Sequence, residues 1–105
     1  MDYIEFFYKR LTELRIQKGV SARDMSLSLG QSESYINKIE NKRTLPSFTG
    51  FIYICEYLNV TPQEFFDTQN ADPRKSKEFL SEFEKLSSTH ADHILQLIKD
   101  LNGKV

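Results

Sequence analysis

Three groups of residues in this chain are of types that do chemistry. His90 and His93 flank Asp92, with both imidazoles on one late helix. A metal site there needs further ligands, and neither a cysteine nor a second acidic cluster is near to complete it, so these are read as surface or interface residues. Cys55, the sole cysteine, lies in the apolar run FTGFIYICEYL and reads as a small core residue that cannot form an intramolecular disulfide. No Gly-rich phosphate loop and no nucleophile motif occurs, so the expectation is no enzyme, no metal and no cofactor. The third group is SESYINKIEN, where Glu33, Ser34, Asn37, Lys38 and Asn41 fall away from an inward stripe of Ile36 and Ile39. A helix face so rich in donors and acceptors suits a polar groove. The same periodicity also describes a solvated helix of an unrelated small bundle.

The elements that must position that face can be drawn from caps and turns. Ser21 and Asp24 make a capping-box-like start for a helix whose inward positions are Ala22, Met25, Ser26 and Leu29. Gly30 can take the left-handed conformation that ends it. A second helix is expected at once, from about Ser32, its cap, to Asn41. Two short helices joined by a tight turn form a helix-turn-helix, whose second helix commonly enters the major groove of DNA.

Around this pair, a first helix is expected from near Asp2 to Lys18, ending at Gly19, with Ile4, Phe7, Tyr8, Leu11 and Leu14 as its apolar stripe. Ser47 reads as the cap of a helix carrying Phe48, Phe51, Ile52, Cys55 and Leu58 inward. TPQE places a cap at Thr61, a proline at the first helical position and a glutamate at the third, and Phe65 and Phe66 close the core. The spacing therefore predicts an all-α chain: five helices over residues 1–68, then an extension over residues 69–105. In that extension Asp72 and Pro73 open one helix, with Phe79, Leu80, Phe83 and Leu86 apolar. Thr89, in THAD, caps another with Ile94, Leu95, Leu97, Ile98 and Leu101. These two faces must be buried, against their own domain or against a second copy of the chain; pairing as a homodimer is the expectation.

At 105 residues the chain suits one domain and an appendage. A formal net charge of −1 does not advertise a nucleic-acid partner, yet Lys9 to Arg43 carries eight basic residues against four acidic ones, a local +4. The charged N-terminus MDYIEFFYKR is no secretory signal, and no apolar run approaches the roughly 18 residues of a membrane span, so a cytoplasmic protein with no membrane partner is expected.

From about Phe6 to Phe66 the chain resembles the phage-repressor-like helix-turn-helix regulators of the Cro and xenobiotic-response-element type. The resemblance is carried by LTELRIQKGVS before the motif, LGQSESYINKIEN across it, the KR pair followed by Pro46, and the closing CEYLNVTPQEFF. It implies the lambda-repressor-like fold of five helices, the third being the reader. It also implies an ion pair between Arg15 and Glu40, joining the first and third helices.

By the same resemblance the base-reading positions are Glu33, Ser34 and Lys38, with Gln31 and Asn37 at the margin. Lys38 would donate to guanine and Glu33 would accept from the cytosine amino group. Phosphate contacts would fall to Ser21, Arg23, Tyr35, Asn41, Lys42 and Arg43. Two positions depart from the family's pattern. Ala22 stands where relatives often carry a glutamine that donates to phosphate, with Arg23 next door as its replacement. Glu33 puts an acid at the groove-facing start of the reader, where it repels phosphate and needs a specific partner.

The function expected is a sequence-specific transcriptional regulator from a bacterium or a phage, a repressor-type homodimer that binds double-stranded DNA. The alternative is a protein-interaction module that keeps the fold and grips another regulator. Nothing in the residues argues for a small-molecule ligand.

Overall fold

A computed structural model describes residues 1–103 of the chain. Asp2 opens the first helix, α1 (Tyr3–Lys18), because its Oδ1 accepts from the amides of Ile4 and Glu5 at 3.1 and 3.2 Å. α1 closes at Gly19, and Ser21 then caps α2 (Ala22–Ser28) by accepting from the Asp24 amide. After α3 (Tyr35–Glu40), Ser47 caps α4 (Phe48–Leu58). The box of Thr61 and Glu64 starts α5 (Pro62–Phe65), with both of its reciprocal hydrogen bonds present. α6 (Pro73–Glu84) and α7 (Ser88–Asn102) complete the element order. The described residues contain helices and no strand, so the chain is all-α.

They group into two compact units, Met1–Pro73 and Arg74 onward; Lys104 and Val105, the end of the expected 69–105 extension, lie outside the described residues. The core of the first unit is Phe7, Leu11, Leu14, Met25, Ile36, Ile39, Ile54, Cys55, Leu58, Val60 and Phe65. Its aromatic end is a cluster in which Phe65 lies 5.4 Å from Phe7 and 5.2 Å from Phe51, ring centre to ring centre.

The apolar stripes are longer than the core they serve. Ile4 and Phe48, both expected inward, are exposed, Phe48 at 80%. Each sits one helical turn before a residue that packs into the core or against it, Phe7 and Phe51, so the end of each stripe runs past the last covering side chain. With Tyr3, Leu45 and Pro46 they line a shallow apolar groove.

Arg10, counted above among the cations around the candidate reader, is instead 3% exposed. It occupies the inward face between Phe7 and Leu14, and its guanidinium donates to the carbonyls of Glu64, Phe65 and Asn70 at 2.7 to 2.8 Å. A longer bond, 3.4 Å, reaches the carbonyl of Ala71. The fork of Arg10 thus binds the C-terminal end of α5, where the Glu64 carbonyl also accepts from the Asp67 amide at 3.2 Å, and ties it to the following segment.

In the second unit, α6 ends where the amides of Lys85 and Leu86 donate to Glu82 and Phe83 at 3.2 and 3.1 Å. The cap of α7 is Ser87, not Thr89: its side chain accepts from the His90 amide at 3.2 Å. Ser87 is the first competent cap after that turn, so the helix starts there and Thr89 falls within its first turn. Phe79 stacks on Phe83 at 5.8 Å. Phe79, Leu80, Leu86, Ile94, Leu95, Leu97 and Leu101 are all exposed.

Candidate nucleic-acid interface

Gly30 makes the turn between α2 and α3. At φ 73° it is left-handed, which lets its amide bond the Leu27 carbonyl and the Gln31 amide bond the Ser26 carbonyl, closing α2. α3 does not begin at Ser32. The Ser32 carbonyl accepts from the Tyr35 amide in a turn, and the helix proper runs from Tyr35. Ser34, at its N-cap position, makes no side-chain cap bond. The acceptor comes from α2: the buried hydroxyl of Ser26 donates to the Ala22 carbonyl at 2.7 Å and accepts from the Ile36 amide at 2.9 Å. One serine thus ties the two helices of the motif together, and Ile36 and Ile39, fully buried, fix the roll of α3.

A bridge from α1 fixes the other end of α3. Arg15 Nε lies 2.7 Å from Glu40 Oε2 and Arg15 Nη2 lies 3.0 Å from Oε1, a bidentate pair. The third nitrogen donates to the Val20 carbonyl at 2.9 Å. The side chains are only 16% and 13% exposed. Bonding to Glu40 raises the pKa of Arg15 against the lowering effect of burial.

The remaining candidate residues fall into distinct states. Gln31, Glu33, Asn37, Lys38, Asn41, Lys42 and Arg43 are exposed, whereas Ser34 and Tyr35 are half-buried. Tyr35 packs against the core, and burial pushes its ionisation up. A methyl group at Gly50 would stand 2.8 Å from the Tyr35 hydroxyl oxygen, so glycine there lets α4 approach this ring. The Asn41 amide donates to the carbonyl and side-chain oxygens of Asn37 at 2.9 and 3.0 Å. Ser21 holds the first turn of α2 as described.

The cations are not equally available. Arg23 Nε is 3.3 Å from Glu33 Oε2, and Lys42 Nζ is 2.6 Å from Oε2 of Glu5 on α1. Glu5, which the sequence did not single out, holds the Lys42 ammonium above its ordinary pKa by hydrogen bonding and charge. Lys42 is also left-handed, φ 63°, where it ends α3: its amide bonds the Ile39 carbonyl and the Arg43 amide bonds the Lys38 carbonyl. Among the described residues, no hydrogen bond or ion pair holds the side chains of Lys38 and Arg43. Of the eight cations counted in the sequence, four are therefore held, Arg10 by carbonyls and Arg15, Arg23 and Lys42 by carboxylates, and only Glu5 on Lys42 is an acid outside the acidic residues already counted.

No group of three or more His, Cys, Asp or Glu that could hold a metal ion occurs among the described residues, and His90 and His93 lie exposed on α7. No helix among them is long and apolar enough to cross a membrane.

Two helices locked at a glycine turn, the second carrying an exposed polar face, define a helix-turn-helix domain. The family of that description matches residues 8–70, well over half of the chain, and the chain belongs to it. Such a domain suggests a DNA-binding regulator. Neither the curated proteins nor the solved structures gave a match.

Proposed function

We propose that this chain is a sequence-specific transcriptional regulator of the Cro and xenobiotic-response-element type, acting as a repressor-type dimer that lays α3 in the major groove. The observation that carries the reading is Lys38: an unpaired cation on the exposed face of a helix whose opposite face is anchored by Ile36 and Ile39. Lys38 would donate to the acceptors of guanine, Glu33 would accept from the cytosine amino group, and Ser34 would serve either kind of base. Gln31 and Asn37 border them. Ser21, Arg23, Tyr35, Asn41, Lys42 and Arg43 would meet phosphates and set the register.

Self-association through α6 and α7 is part of the proposal. Its support is the exposed aliphatic face of Ile94, Leu97 and Leu101 with Phe79 and Leu80, which water solvates poorly. A two-fold dimer would match a palindromic site and double a modest half-site contact. The protein would work in the cytoplasm of a bacterium or of a phage's host, without cofactor or catalysis.

A second reading, a protein-interaction module on the same fold, is favoured by the acid at Glu33 and by the pairing of Arg23 and Lys42 with carboxylates. Selection from a random duplex pool at low salt, with the oligomeric state measured by sedimentation, separates the two. Enrichment of a palindromic sequence by a dimer supports regulation by DNA reading. No enrichment, with a protein partner co-purifying, supports the module.

A further inference from the structure

We propose that Glu5 and Glu33 are built-in competitors of DNA phosphate, with Glu33 setting discrimination between sites and Glu5 setting overall affinity. The inference rests on the DNA-reading function proposed above. Each acid holds one of the phosphate-contacting cations in the free protein, Glu5 on Lys42 at 2.6 Å and Glu33 on Arg23 at 3.3 Å. All four side chains are more than half exposed, so neither bridge is locked and a phosphate oxygen can displace either carboxylate.

The two acids differ in where they stand. Glu33 lies in the turn that leads into α3, two residues before its first residue, Tyr35. Displaced from Arg23, its carboxylate meets base edges, and the cytosine amino group is the partner there that relieves it. At any other base it is left unpaired beside a polyanion. Glu5 lies in the first turn of α1, and Lys42 is directed to it by the left-handed close of α3 and lies 5.9 Å from the ring of Tyr8 on the same helix. When phosphate takes Lys42, Glu5 loses its partner and gains none from any base, so the cost of opening the bridge is the same on every duplex.

The two roles give different signatures. Affinities of the full chain for its selected site and for a random duplex of equal length would be measured with Glu5→Gln and Glu33→Gln. Glu5→Gln should tighten both duplexes about fivefold and leave their ratio unchanged. That gain should vanish when Lys42 is already glycine, a background that keeps the left-handed turn. Glu33→Gln should tighten the random duplex about fivefold and weaken the selected site, so the ratio falls at least about tenfold. A Glu5→Gln gain that persists without Lys42 would reduce Glu5 to net charge and overturn its role. An unchanged ratio in Glu33→Gln would overturn the role of Glu33. Wild-type protein that binds no duplex at low salt overturns the DNA-reading function itself, and this inference with it.

Discussion

The hydroxyl of Ser26 lies 2.9 Å from the backbone nitrogen of Ile36, so α2 supplies the hydrogen-bond acceptor that the start of α3 lacks on its own. α3 is therefore oriented by a contact from the preceding helix as well as by burial of Ile36 and Ile39. Ser26→Ala would strand a buried amide, at a cost of about 1–3 kcal/mol. Urea unfolding should show a lower midpoint with an unchanged slope; a loss below about 0.5 kcal/mol would mean that the hydroxyl is dispensable.

Arg15 and Glu40 form the second tie. Because the pair is largely buried, removing one partner leaves the other charge without compensation. Arg15→Ala or Glu40→Ala should each destabilise by about 3 kcal/mol, and an apolar pair at both positions should recover most of that loss. Thermal unfolding of the two singles and the double closes the cycle. Additive losses would show that the charges do not act together.

Lys42 ends α3 in a conformation that glycine adopts without strain. Lys42→Gly should leave the fold intact and stabilise it by roughly 1 kcal/mol. Loss of the charge should weaken DNA binding at the same time. Stability and affinity moving in opposite directions is the expected outcome, read by unfolding and by fluorescence anisotropy on one sample. A destabilised variant would show that the Glu5 bridge outweighs the backbone strain.

Cys55 is buried, and desolvation pushes its thiol from 9.0 to about 12. The folded pKa is raised, so this group contributes stability that is present below pH 9 and is lost as pH rises toward 12, where only the unfolded chain releases the proton. Stability should fall across that window by up to about 1.4 kcal/mol per pH unit, with Tyr35 adding to the slope in the same direction. Cys55→Ala should flatten the profile. An identical profile in that variant would place the alkaline sensitivity elsewhere.

Much of this fold is legible in the chain because its caps are local. Asp2, Ser21, Ser47 and Thr61 each bond amides within three residues, and such short-range chemistry is written in the sequence. α3 is different. Its approach contains Ser32 and Ser34, and either could cap; docking on α2 decides the start, through Ser26. Arg10 is the other lesson. It shares the face of Phe7, Leu11 and Leu14, a position that periodicity marks as inward, but its partners are carbonyls more than 50 residues away. The pairs of Glu5 with Lys42 and Glu33 with Arg23 join exposed residues 37 and 10 positions apart, with no local pattern to announce them. In the sequence only family resemblance pairs Arg15 with Glu40, since 25 positions separate them and no spacing rule connects them.

Lys38 as a base reader and Arg43 as a phosphate contact are told apart by comparing the alanine variant of each on a selected site and on random duplex. Lys38→Ala should weaken the selected site by about 1–3 kcal/mol and random duplex far less. Arg43→Ala should weaken both alike and reduce the salt slope by about one unit. Equal losses on both duplexes for both variants would show that Lys38 does not read bases.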